Sequence, residues 1–389
     1  MSTSEATHLV GAVLAGERGD ADRCVGSLVR FGIRVEVFDT TEDQRHARLT
    51  QAGVTVTPLA WLDSFADARN RALDVLRATG DASSVLWLDT DERLVKRPDD
   101  RLLRSLRIGE AGSAVFCPSI RDARLEVQGV GRLHSLRTAT KFVGLVHEYL
   151  TDRDGGCLVY RPCEALIEHD GYDSWSRTER NKRLLELQVV TDSENPRWWA
   201  FLVRDAGSVL PPLELTRAIR AFAALCPYFD VIGGITPADY TRMTAWHGAW
   251  NLVCKGGAAM VEPALRRLRV RGDDDLLSEI LYLRLVASVI SGSGVADLLE
   301  EAFECRRRSI ALGREQPWLD AGISVGLESE GRRGEANAYR AESRPFTDPF
   351  CVDSELRPEF RPAQQSALGG PGKVSRLRGA TRWRSPELP

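Results

Sequence analysis

Several protein classes are excluded by what this chain lacks. No uncharged apolar run among its 389 residues approaches the roughly 18 needed to span a bilayer. The first nine residues are polar and hold no apolar signal core, so the expectation is a cytoplasmic protein without an integral membrane segment. Positive charge is not in excess: 52 Lys and Arg against 55 Asp and Glu leave a formal charge of -3 and a pI near 6.2. With its basic residues scattered, the chain does not read as a nucleic-acid binder. Its eight cysteines, at 24, 117, 157, 163, 226, 254, 305 and 351, never form a Cys-x-x-Cys pair. A zinc site and a disulfide framework are both disfavoured, and most of these cysteines read as small core hydrophobes.

What is present is room for two domains and a large core. The first part alternates strand-like and helix-like segments. Residues 10–15 form a short apolar run, residues 21–31 carry a Val25, Leu28, Val29 stripe, and residues 33–38 alternate toward Asp39. Residues 53–58 read as a further strand. Residues 61–76 then form a clear helix, with Ser64 as cap, Asp67 three residues on, and an apolar face of Phe65, Ala68, Ala72, Val75 and Leu76. Gly80 and Asp81 close it ahead of a strand at 85–88. This order implies a mainly parallel sheet covered by helices on both faces, with ligands at the carboxyl ends of its strands.

From residue 114 the pattern changes to short alternating strands at 114–117, 125–128, 133–137 and 158–160, with turns at 129–131 and 154–156. Beyond about residue 174 it becomes helical, at 177–190, 213–225 after a Pro-Pro start, 276–289 and 295–312, the last two joined by Gly-Ser-Gly. No repeated consensus is visible. Residues 364–389, rich in Gly, Pro, Ser and Arg, read as disordered. The expected division is residues 1–175, 176–345 and a largely disordered tail at 346–389.

The most informative stretch is residues 85–94, Val-Leu-Trp-Leu-Asp-Thr-Asp-Glu-Arg-Leu. An apolar strand runs directly into Asp89, Asp91 and Glu92. If the chain turns after the strand, Asp89 and Asp91 converge, and hard oxygen ligands suit Mg²⁺ or Mn²⁺. By itself the pattern also fits a solvated turn.

Three further segments accompany it: residues 61–70, Trp-Leu-Asp-Ser-Phe-Ala-Asp-Ala-Arg-Asn; residues 133–150, ending Phe-Val-Gly-Leu-Val-His-Glu-Tyr-Leu; and residues 168–172, Glu-His-Asp-Gly-Tyr, followed by Arg180-Asn181. In order and spacing the four together resemble glycosyltransferase family 2. The closest resemblance is to the branch with a Phe-x-x-Ala-Arg-Asn helix, a Trp-x-Leu-Asp-x-Asp-Glu strand end, Gly-x-Val-His-Glu and His-x-Gly-Tyr segments, and a helical C-terminal region. The likeness covers roughly residues 8–190. Two loops depart from it: residues 14–21 lack the branch's Arg-Asn-Glu, and Thr-Thr-Glu-Asp follows Asp39 where Gly-Ser-Thr-Asp is common.

The resemblance implies an α/β fold of GT-A type, a Rossmann-like mainly parallel sheet with antiparallel additions followed by an all-helical C-terminal region. It implies an inverting, metal-dependent transfer of a hexose or N-acetylhexosamine from a nucleoside-diphosphate sugar, most readily a UDP-sugar. Asp39, Arg69 and Asp89 would hold the donor, Arg69 at the pyrimidine base. Asp89, Asp91 and His169 would ligate Mn²⁺ or Mg²⁺, and Glu148 would be the catalytic base. Each has a plain structural alternative: an Asx turn for Asp39, a helix-face pair with Asp67 or Asp74 for Arg69, a polar strand end for His147 and Glu148. The acceptor (peptide, glycan, lipid or small natural product) is left open, because fold does not select it. The helical region would bind acceptor or form a homodimer. A nucleotidyltransferase and a non-catalytic sugar-nucleotide-binding scaffold remain alternatives.

Overall fold

The computed structural model describes residues 8–17, 19–121, 126–127, 129–138, 140–170, 175–268 and 273–342. They fall into two compact units. The first runs up to Arg177 and takes in Val231–Ile235; the second comprises Thr178–Asp230 and the described residues from Thr236 onward.

The first unit contains, in chain order, β1 (Leu9–Ala15), α1 (Ala21–Val29), β2 (Arg34–Asp39), β3 (Val54–Pro58), α2 (Phe65–Thr79), β4 (Ser84–Asp89), β5 (Glu92–Lys96), α3 (Asp100–Ile108), β6 (Val115–Arg121), β7 (Glu126–Val127), β8 (Leu133–Ser135), β9 (Thr140–Val143), β10 (Tyr149–Asp152) and β11 (Tyr160–His169). A nine-stranded sheet has the order β3-β2-β1-β4-β8-β6-β11-β5, with β7 beside β6. The pairs β3–β2, β2–β1, β1–β4 and β6–β11 are parallel; β8 runs antiparallel between β4 and β6, and β5 antiparallel to β11. This is the expected α/β architecture, a mainly parallel sheet with antiparallel additions. Strands β9 and β10 form a separate ribbon.

The central strands are apolar on both faces because both are covered. On β4, Leu86 and Leu88 join a cluster with Val13, Leu28 and Leu106, whereas Val85 and Trp87 join Phe38, Leu73 and Leu76 on the opposite side. That two-residue alternation puts α1 and α3 on one face and α2 on the other. Each such large side chain contributes about 1.5–3 kcal/mol by leaving water. Helix α2 starts at Phe65, later than the periodicity suggests. Asp63 lies at φ 58, Trp61 turns edge-on to Phe65 at 4.9 Å between centroids, and Ser64 accepts the Asp67 N–H at 3.1 Å. Gly80, at φ 67, ends the helix as expected.

Other elements were not evident from pattern. Strand β11 begins at Tyr160, where the sequence suggests that a strand ends, and its pairing shifts register between Pro162 and Leu166. Proline and the bulge interrupt the alternation that would have marked it. Of the strand expected at 125–128, residues 125 and 128 lie outside the described residues, as does the tail at 346–389.

Among its described residues the second unit is helical: α4 (Trp175–Thr191), which belongs to this unit from Thr178 onward, α5 (Pro196–Ala206), α6 (Pro212–Leu225), α7 (Pro237–Cys254), α8 (Val261–Leu265), α9 (Asp274–Ser291), α10 (Val295–Ala311), α11 (Pro317–Ser329) and α12 (Arg333–Glu342). Leu281 and Leu285 of α9 pack with Leu298 and Leu299 of α10 and with Leu319 and Ile323 of α11. No described helix is long and apolar enough to cross a membrane. The described cysteines are free thiols: Cys24, Cys117, Cys226, Cys254 and Cys305 are buried, Cys163 is half-buried and Cys157 exposed. Cys351 lies outside the described residues.

Candidate active site

Strand β4 delivers Asp89 to the carboxyl edge of the sheet, beside Leu14 of β1; Asp39 reaches the same edge from β2, beside Ala15. Only Thr90 and Asp91 separate β4 from β5. Asp20 pins this turn by donating its N–H to the Thr90 carbonyl at 3.0 Å. Strand β11 returns antiparallel to β5 with His169 opposite Glu92. The Asp170 N–H therefore reaches the Asp91 carbonyl at 2.9 Å, and His169 Nε2 lies 3.2 Å from Asp91 Oδ2. Burial disfavours the imidazolium, but the hydrogen bond and charge of Asp91, with Glu92 and Asp89 nearby, outweigh it and raise the pKa of His169.

Beside this pair runs a chain of alternating charges. Arg69, on the inner face of α2, donates from Nε to Glu148 Oε1 at 2.6 Å and from Nη2 to Asp89 Oδ1 at 2.7 Å. Its guanidinium lies against the rings of Trp87 and Phe142, 5.0 and 5.6 Å from their centroids, a favourable cation–π setting. Arg132, just before β8, donates from Nη2 to Asp89 Oδ2 at 2.9 Å and to Glu92 Oε1 at 2.5 Å. Glu92 closes the loop by accepting the Asp89 N–H at 2.9 Å. Burial alone would raise the pKa of Asp89, yet Arg132 and Arg69 hold it below the ordinary carboxylate range. Burial pushes Glu92 up despite Arg132, and the charges of Asp89 and Asp91 add to the rise.

Glu148 sits in the connection between β9 and β10. The Phe65 N–H bonds the Leu145 carbonyl at 2.9 Å, and Asn70 exchanges two hydrogen bonds with the main chain of Phe142 at 2.9 and 2.7 Å. His147, at φ 53, takes a backbone conformation uncommon for a residue with a side chain. The Ala-Arg-Asn and His-Glu segments are thus locked together, with Arg69 and Asn70 as fasteners.

The structure gathers Arg69, Asp89 and Glu148 into one ion-paired chain, sets Asp91 against His169, and leaves Asp39 apart. Both Asp39 oxygens are taken locally, by the N–H and hydroxyl of Thr41 at 3.0 and 2.6 Å and by the His46 N–H at 2.9 Å. This is the Asx-turn alternative. The Arg69 side chain is 3 % exposed and its charge is matched by two carboxylates. Neither Asp67 nor Asp74 is its partner; Asp67 pairs with Arg71 at 3.1 Å.

No group of three or more His, Cys, Asp and Glu placed to hold a metal occurs among the described residues. A smaller donor set does fit one. Cis ligands at about 2.1 Å from a small octahedral cation are about 3 Å apart, which matches the 3.2 Å between Asp91 Oδ2 and His169 Nε2. A site with few protein ligands that relies on substrate phosphates and water is usual for Mg²⁺, and carboxylate with imidazole suits Mn²⁺. Asp89, each oxygen already accepting from an arginine, is a poorer direct ligand than the spacing suggested.

Arg132 was not among the residues singled out from sequence. The only local signal is its place after Gly129-Val-Gly131 at a strand start.

No protein-family model matches the chain, and no curated protein matches it. Among solved structures it is similar to S. aureus TarS 1–349 in complex with UDP, at 14 % identity over 86 % of this chain and 90 % of that one, with a TM-score of 0.27. It is also similar to S. aureus TarS (12 %, 89 % and 56 %, TM-score 0.29) and to TarS 1–349 without UDP in its description (13 %, 88 % and 94 %, TM-score 0.25).

Proposed function

We propose that the chain is a metal-dependent inverting glycosyltransferase of GT-A type, moving a hexose or N-acetylhexosamine from a nucleoside-diphosphate sugar, preferentially UDP-linked, to an acceptor hydroxyl. One observation carries the reading: two residues distant in sequence, Asp91 and His169, meet at 3.2 Å on the carboxyl edge of a mainly parallel sheet, and the neighbouring Asp89 is joined through a buried arginine, Arg69, to the Glu148 carboxylate. That edge is where open α/β sheets bind ligands.

Asp91 and His169 would hold Mn²⁺ or Mg²⁺, which when bound neutralises charge on the departing nucleoside diphosphate. Glu148 is assigned the catalytic base. Arg69 fixes its Oε1, leaving Oε2 to take the acceptor proton. The acceptor oxygen bonds to the anomeric carbon as the carbon–phosphate-oxygen bond breaks, and the nucleoside diphosphate leaves with the electron pair, which inverts the centre. Such base assistance supplies about 10²–10⁴ in rate. Asp89 positions the site through its two arginines, and Asp39 holds the loop after β2 on which the nucleoside would rest. The helical unit is assigned to acceptor binding or dimerisation.

The test is a panel of nucleoside-diphosphate sugars with and without Mn²⁺, read by thermal shift and by nucleoside-diphosphate release. Stabilisation with slow hydrolysis by one donor is expected. Release of pyrophosphate from a nucleoside triphosphate, with no response to any sugar nucleotide, would replace this reading by nucleotidyl transfer.

A further inference from the structure

Five side chains of the first unit form one continuous chain of alternating charge: Glu148, Arg69, Asp89, Arg132 and Glu92. Its far end is tied into the sheet. The main chain of Arg132 is clamped on both sides: its N–H donates to the Phe116 carbonyl at 3.0 Å, and its carbonyl accepts the Trp87 N–H at 2.8 Å. The preceding Gly131 admits no side chain, since a Cβ there would lie 2.4 Å from Val115 Cγ1 and 2.8 Å from the ring of Tyr160. These two main-chain bonds and the close packing at Gly131 hold the start of β8, and with it the base of the Arg132 side chain. The Arg132 side chain is buried, at 7 % exposure, and its Nε has no hydrogen-bond partner. A buried charge so placed acts on its neighbours rather than on a ligand directly.

We propose that Arg132 is a positioning residue for glycosyl transfer, holding Asp89 so that Arg69 keeps the Glu148 carboxylate in its working orientation. This rests on the assignment of Glu148 as base. With Arg132 present, each guanidinium is shared between two carboxylates. Without it, Asp89 keeps Arg69 as its one arginine, and the two carboxylates Asp89 and Glu148 compete for that guanidinium. Arg69 is then drawn toward Asp89 and its Nε bond to Glu148 loosens. A displacement on the order of 1 Å in a reacting group costs roughly 10² in rate, whereas donor contacts at Asp91 and His169 are untouched.

The test compares wild type, Arg132→Met and Arg132→Lys. Both bonds leave a single nitrogen, Nη2, so a lysine ammonium, though one bond shorter, restores a point charge between the two carboxylates. In Arg132→Met, transfer is expected to fall about 10²-fold in kcat while the Kd for UDP with Mn²⁺ stays within about three-fold. Arg132→Lys is expected to recover about ten-fold of the loss. Wild-type turnover in Arg132→Met, equal loss of UDP binding, or no recovery with lysine would overturn the proposal. A readout independent of activity is the Arg69 Nε–H resonance, assigned by its disappearance in Arg69→Lys. It must shift and exchange faster in Arg132→Met; if it does not move, Arg132 is not coupled to Glu148. Should the wild type turn over no sugar nucleotide, the glycosyltransferase reading falls alone, and that resonance decides whether the linkage exists.

Discussion

Replacing Arg69 with methionine tests the electrostatic architecture of the site. The substitution keeps an unbranched apolar side chain against Trp87 and Phe142 but removes a guanidinium that is 3 % exposed and makes charge-assisted bonds of 2.7 and 2.6 Å. Deleting one partner of a buried ion pair typically costs about 3–5 kcal/mol, because the remaining charge stays buried. Here the two carboxylates differ. Asp89 is 38 % exposed at its side chain and retains Arg132, so water and the second arginine absorb part of the loss. Glu148, at 13 % exposure, has no comparable relief. The lower end of the range is therefore expected, about 3 kcal/mol. With a urea dependence of about 2–3 kcal/mol/M, the unfolding midpoint of the first unit should fall by about 1–1.5 M. Adding Glu148→Gln should restore about 1–2 kcal/mol by neutralising the stranded charge. The assay is urea unfolding followed by tryptophan fluorescence, with Trp87 at the centre of the affected core. A midpoint shift equivalent to less than about 1 kcal/mol, or no recovery in the double variant, would refute the reasoning and mark Arg69 as a solvent-screened surface ion.

Two further outcomes follow from the same geometry. Glu148→Gln should retain donor binding and lose transfer by about 10²–10⁴-fold; loss of UDP affinity in calorimetry would sink the base assignment. Acid sensitivity should arise at His134, which accepts the Trp87 indole N–H at Nε2 (3.1 Å) and bonds the Ser135 carbonyl through Nδ1 (3.0 Å). Burial depresses its pKa from 6.5 to about 4, so its contribution is intact above pH 6.5 and is lost as pH falls from there toward about 4. The full loss is about 3 kcal/mol. In unfolding experiments between pH 7 and 4.5, His134→Gln should show a shallower decline than wild type, and parallel curves would contradict the assignment.

Where a signal is local, the sequence was readable. The Ser64 cap, the Gly80 stop and the apolar run of β4 announce α2 and the acidic edge, since capping and periodicity need only neighbouring residues. Helix α9 was placed despite having no clean polar face: nearly every residue from Leu276 to Ser288 is buried, so it carries little periodicity of its own. Contacts between distant segments were far less legible. The β11–β5 pairing that sets His169 against Asp91 depends on a bulged strand whose alternation is broken at Pro162. Arg132 has no periodic or capping signature, because a buried arginine is recognised only once its carboxylate partners are known. Arg69 and Asp39 were singled out as positions, yet their partners follow from side-chain geometry alone: Arg69 faces Glu148 and Asp89, and Asp39 faces its own loop.

The central claim, that a sugar-nucleotide diphosphate is held at Asp91 and His169, is tested most directly by calorimetric titration of UDP into wild type and Asp91→Ala, each with and without Mn²⁺. The account predicts binding by the wild type that requires Mn²⁺ and is lost in Asp91→Ala, with thermal unfolding otherwise unchanged. Equal UDP affinity in the two proteins, or no binding to the wild type at any metal concentration, would contradict it.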